Sequence, residues 1–257
     1  MRKLLHGLVD FRERLAPKYQ DTFAQLALGQ KPDVLFVGCS DSRVVPNLFA
    51  STEPGDLFVI RNVGNLVAPC DASGVNRADR SEAAAIEYAI ERLGVADIVI
   101  CGHSECGATL ALLDDKMKLP PNLANWLQYA QVSLDRLNNT APLDPTLSRH
   151  NQLSQANVLQ QLDHLRTYPS VVKALAEKRL RLHAWYFDIA SIEVETYDPE
   201  LNKFVVIDRD VAAKLLKSLG EDDDKGLEEP QPAWQYAAET YRKMAAGTCC
   251  TSQNHQA

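Results

Sequence analysis

The chain has 257 residues, of which 46% are apolar and 24% charged, and its formal net charge is −7. This length and composition fit one α/β domain with an appendage, and they exclude a collagen, a coiled-coil rod and a wholly disordered chain. The acidic balance argues against a nucleic-acid backbone as partner. No apolar run approaches the roughly 18–20 residues that cross a bilayer, so we expect no membrane span.

The N-terminal region, 3–29, places apolar residues at helical spacing and predicts a helical arm with a break near Pro17. Charged residues interrupt its apolar positions, so we interpret it as an amphipathic helix and not as a secretion signal. Six cysteines without such a signal favour a reducing compartment. The sequence therefore predicts a cytoplasmic protein.

Three short apolar runs, 33–38, 57–61 and 97–101, are typical of strands that are buried on both faces. Between the second and third runs, residues 81–93 have helical periodicity, and Gly94 ends that helix. A strand, a crossover helix and a further strand predict parallel neighbours in a right-handed βαβ unit.

The second half of the chain predicts a mainly helical stretch followed by three strands and a short helix. These elements cover, in order, residues 106–178, 180–187, 192–197, 203–207 and 211–219. We therefore predict an α/β fold with a mostly parallel central sheet flanked by helices, within a catalytic domain of residues 1–219. An acidic, partly disordered C-terminal extension of residues 220–257 follows, with one candidate helix at 233–246.

Potential metal ligands follow two of the predicted strands. Cys39 comes directly after the first strand, and His103 and Cys106 come after the third. The carboxyl ends of parallel strands meet at one edge of a sheet, so we expect these side chains to lie together. Two thiolates and an imidazole suit a zinc ion with a vacant fourth position. The alternative is that both cysteines are packed thiols and the histidine is a loop residue.

The residues around Cys106 also predict the start of a helix. Free N–H groups and the helix dipole at such a position favour a thiolate. Ser104 is the candidate cap for that helix.

Longer motifs surround these residues. Cys39-Ser-Asp-Ser-Arg43 and His103-Ser-Glu-Cys-Gly107, with Arg61-Asn-Val-Gly-Asn65 between them, resemble the motifs of the β-class carbonic anhydrases. The resemblance covers about residues 20–210. The helical N-terminus, the position of Gln30 and the C-terminal extension are most similar to the plant and cyanobacterial branch.

This resemblance implies one zinc ion per chain, held by Cys39, His103 and Cys106. It also implies a catalytic pair and a set of substrate contacts, with part of the pocket lying across a dimer interface. The pair is Asp41 and Arg43, and the substrate contacts are Gln30, Phe58, Tyr88 and Gly107. One departure is the segment 70–83, which is longer and more charged than the family's usual glycine-rich loop.

The function that the resemblance implies is the zinc-dependent, reversible hydration of carbon dioxide to bicarbonate and a proton by zinc-bound hydroxide. Such an enzyme is a carbonate dehydratase, a lyase. Two thiolates cancel the zinc charge, so we expect a weaker Lewis acid than an all-histidine site and a rate that rises on the alkaline side. Two alternatives are hydrolysis of another cumulated substrate such as carbon disulfide, and an inactive zinc-binding scaffold.

The spacing of Asp41 allows two roles. Its carboxylate can accept a hydrogen bond beside the metal, or it can bind the metal as a fourth ligand and block the site. Arg43 lies two residues further on, and its guanidinium can pair with Asp41 and hold it away from the metal.

The remaining predictions concern assembly. The resemblance implies a homodimer or a higher homo-oligomer. The extension 220–257 is either a solvated end or a segment for oligomerisation or for docking to a carbon-fixing microcompartment.

Overall fold

The computed structural model describes residues 1–114 and 116–220. Contacts divide the chain into two compact units, of which residues 31–212 form the larger. Among the described residues, the other unit contains 1–30 and 213–220. The predicted helix at 233–246 and nearly all of the acidic extension lie outside the described residues.

A six-stranded sheet lies at the centre of the larger unit. Its strands are Val34–Cys39 (β1), Leu57–Asn62 (β2), Asp97–His103 (β3), Arg181–Asp188 (β4), Glu193–Asp198 (β5) and Lys203–Val206 (β6). The strand order is β2-β1-β3-β4-β5-β6. The first four strands in this order are parallel, and β5 and β6 are antiparallel additions at one edge. The predicted mostly parallel sheet is confirmed.

The described residues also form helices before, between and after these strands in the sequence. They are Arg2–Asp10 (α1), Ala16–Leu26 (α2), Pro46–Phe49 (α3), Arg80–Tyr88 (α4), Gly107–Leu113 (α5), Pro121–Leu127 (α6), Gln131–Asn139 (α7), Arg149–Leu165 (α8), Pro169–Ala176 (α9) and Arg209–Leu219 (α10). A π-helical turn, Ala89–Leu93, continues α4, and Gly94 then adopts a left-handed conformation with φ of 70°. The predicted stop at Gly94 is confirmed.

The predicted break near Pro17 is wrong. The arm continues from α1 through a π-helical turn, Phe11–Leu15, directly into α2. Pro17 lies in the first turn of α2. The wider π turn before it accommodates a ring that would otherwise clash with the carbonyl four residues earlier, so the helix continues without a break.

Alternate side chains of the strands enter two different apolar clusters, as the two-residue period of a strand requires. On one face, residues such as Leu35 and Ile100 pack with side chains of α4, α8 and α9. On the other face, Phe36 and Phe187 pack in an aromatic cluster with Phe49.

Helix α8 packs especially closely on β3. A Cβ atom on Gly102 would lie 2.5 Å from a methyl group of Val158 and 3.3 Å from the backbone oxygen of Ser154. Glycine therefore allows the helix to approach the end of β3, where the candidate metal ligands begin.

Candidate metal centre

The three predicted ligands converge beyond the ends of β1 and β3. Cys39 is the last residue of β1, His103 is the last residue of β3, and Cys106 immediately precedes α5. One potential ligand atom from each lies within 4.8 Å of the other two, and all three residues are buried. Within residues 1–114 and 116–220, this is the cluster of His, Cys, Asp and Glu that is able to hold a metal ion.

The orientation of the His103 ring fits a metal ligand. Its Nδ1 lies 2.9 Å from the carbonyl oxygen of Ser104, which can only accept, so Nδ1 carries the hydrogen. The buried Nε2 atom has no hydrogen-bond partner. Burying an unpaired nitrogen is costly, and a metal ion would satisfy this lone pair. The donor set and the unpaired atom therefore fit zinc.

The environment of the two thiols favours a thiolate. A hydrogen bond from Cys106 lowers the pKa of Cys39, and the backbone N–H groups of Gly64 and Asp41 add to this effect, each 3.4 Å from Cys39 Sγ. The neighbouring Cys39 sulfur and burial raise the pKa of Cys106. The site therefore favours a thiolate at Cys39, and a cation is needed to stabilise a second thiolate at Cys106.

Asp41 and Arg43 form a two-point ion pair beside the cluster. Arg43 Nε donates to Asp41 Oδ1 at 2.9 Å, and an Arg43 Nη atom donates to Oδ2 at 2.8 Å. These bonds hold the pKa of Asp41 well below its usual range. The same Nη donates to the carbonyl of Glu105 at 3.0 Å, so Arg43 links the loops that follow β1 and β3.

A cleft of about 320 Å³ lies next to Cys39 and Asp41. The rest of its lining is mostly apolar and comes from the ends of β1 and β2 and from α5 and α6. These residues are Ser40, Val63, Gly107, Ala108, Ala111, Leu123 and Leu127. A small apolar molecule fits these walls, and the predicted substrate contact Gly107 is one of them.

Two further predicted substrate contacts, Phe58 and Tyr88, are not brought to this cleft within one chain. Phe58 is paired with Leu35, four residues before the Asn62–Cys39 pair, so it lies towards the opposite end of β2. Its ring contacts that of Tyr88 with the centroids 6.0 Å apart, and neither residue lines the cleft. Gln30 is exposed and belongs to the smaller unit. The roles of these three residues stay predictions.

Ser104 does not cap α5, contrary to the prediction that its hydroxyl occupies that position. Its Oγ accepts from the backbone N–H of Ile189 at 2.8 Å, and the residue at the N-cap is Cys106. Glu105, with φ of 56°, turns the chain between the two ligands, so α5 starts two residues too late for Ser104 to cap it.

Arg61 is a site residue to which the sequence interpretation assigned no role. Its Nη atom donates to the carbonyl oxygens of Cys39 at 2.9 Å and Asp41 at 2.7 Å, and its Nε also donates to Cys39. This side chain therefore fixes the backbone on both sides of Ser40. The sequence feature that could have identified Arg61 is its place as the first residue of the motif 61–65, at the end of β2 beside β1.

A buried carboxyl group, that of Glu82, lies beside Asn62, the last residue of β2. Glu82 Oε2 accepts from Asn62 Nδ2 at 3.2 Å, whereas Oε1 is buried without a partner. Burial, together with the charge of Asp79, raises the pKa of Glu82 to about 8. Glu82 lies in the first turn of α4, near the end of the segment 70–83, so this segment places a carboxyl group of raised pKa next to β2.

Comparison with known proteins identifies the class of this α/β metalloprotein. The family described as carbonic anhydrase matches residues 34–194. The carbonic anhydrase of Synechococcus elongatus is 41% identical over 196 residues, which cover 76% of this chain and 70% of the relative. The structure of the β-carbonic anhydrase CcaA aligns with a TM-score of 0.70 and 39% identity, covering 80% of this chain and 98% of that chain. One of two tetrameric β-carbonic anhydrases from Sordaria macrospora aligns with a TM-score of 0.64 and 32% identity, covering 76% of this chain and 95% of that chain.

The chain belongs to the β-carbonic anhydrase family. Its resemblance to the cyanobacterial branch is confirmed by the cyanobacterial relative. The family reaction is the reversible hydration of carbon dioxide to bicarbonate and a proton, so this chain is an enzyme of the lyase class. Hydrolysis of carbon disulfide and an inactive scaffold are less supported than this activity. No helix in the described part of the chain has the length and apolar character needed to span a membrane.

Proposed function

We propose that each chain binds one zinc ion through Cys39, His103 and Cys106 and uses it to hydrate carbon dioxide. The observation that carries this proposal is the buried convergence of three donors within 4.8 Å, with His103 Nε2 unpaired, beside an open cleft. When bound, zinc supplies the Lewis acidity that makes water a nucleophile near neutral pH. The two thiolates reduce that acidity, so the rate rises on the alkaline side.

Asp41 acts as an acceptor that orients the attacking water. Support comes from its ionised carboxylate, which Arg43 holds at 2.9 Å and 2.8 Å and which is not one of the three clustered donors. A carboxylate with both oxygens paired to a guanidinium is a fixed acceptor, and that pairing opposes its movement onto a metal. Arg43 is thus the group that keeps the fourth position open.

The cleft selects a small, uncharged substrate. Its Val63, Ala108 and Leu123 walls exclude water from one side, and Gly107 leaves room at the start of α5. Gln30, Phe58 and Tyr88 complete the pocket from a second chain of a homodimer or a higher oligomer. The tetrameric Sordaria macrospora relative and the absence of Phe58 and Tyr88 from the cleft of one chain support this part of the proposal.

We further propose that the catalytic domain ends near residue 219 and that the acidic segment from 220 onward is a separate extension. A cytoplasmic location is supported by Cys39, Cys70, Cys101 and Cys106, all of which are free thiols. Docking of the extension to a microcompartment is the alternative to a solvated end. Deleting 220–257 and comparing sedimentation and co-purifying partners distinguishes the two.

The proposed function is tested by measuring bound zinc and the initial rate of carbon dioxide hydration for the native chain and for His103→Ala. We expect one zinc per native chain with fast hydration, and loss of both in the variant. Zinc-loaded native protein that acidifies carbon dioxide solutions no faster than buffer would make the chain a scaffold. Faster turnover of carbon disulfide than of carbon dioxide would reassign the substrate.

A further inference from the structure

One face of α8 carries a row of buried polar side chains that the roles proposed above do not use. Successive members are three or four residues apart, the spacing that aligns side chains along one side of a helix. The members of this polar row are Asn151, Ser154, Asn157, Gln161 and His164. Each of them forms a hydrogen bond to a segment outside the helix.

The first two members bind the loop that carries two of the candidate metal ligands. Ser154 Oγ donates to the backbone carbonyl of His103 at 2.8 Å. Asn151 Oδ1 accepts from the backbone N–H of Glu105 at 2.8 Å, and its Nδ2 donates to Glu105 Oε1 at 3.1 Å. Both ends of Asn151 are therefore occupied by the residue that immediately precedes Cys106.

Glu105 needs this support because of its backbone conformation. Its φ of 56° lies in the left-handed region, which residues other than glycine rarely occupy. This turn reverses the chain between His103 and Cys106, so it decides whether the imidazole and the thiol face the same point. A conformation of this kind persists only where neighbouring groups hold it.

The remaining members bind the segment that follows β2. Asn157 Nδ2 donates to the carbonyl of Gly64 at 3.0 Å. Gln161 Oε1 accepts from the N–H of Val67 at 2.8 Å, and His164 Nδ1 lies 2.7 Å from the carbonyl of Val67. The N–H of Gly64 donates in turn to Cys39 Sγ, so the polar row reaches the third ligand through one residue.

Buried polar groups must find partners in any core, so hydrogen bonding alone would suit a purely structural row. The choice of partners is what indicates a role in the site. Every member binds a strand-end segment that either bears a ligand or donates to one, and the close approach at Gly102 keeps the helix against β3.

We propose that Asn151 and Ser154 are positioning residues of the metal centre. They hold the His103–Cys106 loop so that its two donors meet Cys39 before any metal arrives. This inference rests on the proposed zinc site. Groups that orient metal ligands in this way typically contribute 10- to 100-fold in metal affinity.

The test compares the full-length native protein with Ser154→Ala and Asn151→Ala. Zinc affinity is measured by competition with a chromophoric chelator, and Co²⁺ is then used as a spectroscopic probe of the donor geometry. Tyr168→Phe is the matched control, because Tyr168 is also buried and its hydroxyl donates at 2.8 Å to the carbonyl of Ala68, outside both the ligand loop and the polar row.

We expect zinc affinity to fall about tenfold or more in Ser154→Ala and Asn151→Ala, with altered visible bands of bound Co²⁺. Tyr168→Phe should keep the native affinity and spectrum. Native affinity and spectra in both loop variants would overturn the inference, as would an equal loss in Tyr168→Phe. If Asn151→Ala does not fold, Ser154→Ala decides alone. Failure of the native chain to bind zinc would contradict the proposed function itself, a different result from unchanged variants.

Discussion

The guanidinium of Arg43 binds both carboxylate oxygens of Asp41 and at the same time the carbonyl of Glu105. Asp41 follows β1, and Glu105 lies between His103, which ends β3, and Cys106. A single side chain therefore fixes the Asp41 carboxylate and ties together the two loops that carry the candidate metal ligands. The ion pair is partly exposed, so it contributes more to the orientation of the Asp41 carboxylate than to the stability of the fold.

Asp41→Asn should lower the carbon dioxide hydration rate by about 10- to 100-fold while zinc stays bound, because the amide offers water only one acceptor oxygen. Stopped-flow hydration at known zinc content measures this. Asp56→Asn is the control, since Asp56 caps the turn before β2 through the N–H of Glu53 and is not a cleft residue. An Asp41→Asn enzyme with the native rate would show that the carboxylate is only structural.

Arg43→Gln should give a loss similar to Asp41→Asn, and the double variant should lose little more than the worse single variant. Residues that act as one unit are non-additive in this way. The same stopped-flow assay on the four proteins of the cycle tests it. Additive losses would mean that the two side chains act independently.

Glu82 predicts a specific pH dependence of stability. Its folded-state pKa is raised from 4.5 to about 8, so the contribution of the neutral acid is fully present below about pH 4.5 and is lost as the pH rises to about 8. The loss is on the order of 4 kcal/mol. Glu82→Gln removes this ionisation. Chemical denaturation should therefore show that the free energy of unfolding of the variant, relative to that of the native chain, increases from pH 5 to pH 8. A difference between the two proteins that stays constant with pH would refute this.

Metal removal should destabilise the protein. A zinc ion at 100-fold its dissociation constant adds about 2.7 kcal/mol to the free energy of unfolding, so chelator-stripped protein should unfold at a lower temperature. Cys106→Ala should abolish the stabilisation by added zinc. Cys101→Ala is the matched control, because Cys101 is also buried, free and on the same segment but is not in the cluster. Zinc stabilisation that survives in Cys106→Ala would place the metal elsewhere.

Gly102→Ala should destabilise the fold by about 1–3 kcal/mol, because the added methyl group would lie 2.5 Å from Val158. Gly107→Ala is the control for stability, since a methyl group added there would meet no atom within 4 Å. Thermal unfolding of both variants checks the prediction. Equal stability of the two would mean that α8 does not press on β3.

The sequence predicts the sheet and the metal donors well because both depend on local patterns. Each of the parallel strands is a short apolar run. Cys39 and His103 are the last residues of β1 and β3, which pair with each other in parallel. The polar row of α8 was not predictable in this way. Its members, such as Ser154, are polar residues at helical spacing, which in isolation resemble a solvated face. Their partners lie 46 to 97 residues away in sequence.

Two other errors have local physical causes. Ser104 is a reasonable cap from its residue type, but the left-handed turn at Glu105 delays the helix. Pro17 normally ends a helix, yet a π turn accommodates it. Phe58 and Tyr88 do not line the cleft of one chain, so their proposed pocket roles rest on the proposed second chain and not on a local sequence pattern.

The most direct test of the account is X-ray absorption at the zinc edge of the fully loaded native protein. The account predicts two sulfur scatterers at about 2.3 Å, one imidazole nitrogen at about 2.0–2.1 Å and one light atom from solvent. A shell without sulfur would contradict the proposed ligands. A shell filled by four protein donors would contradict the proposed activity, because no position would then remain for the water that carbon dioxide hydration requires.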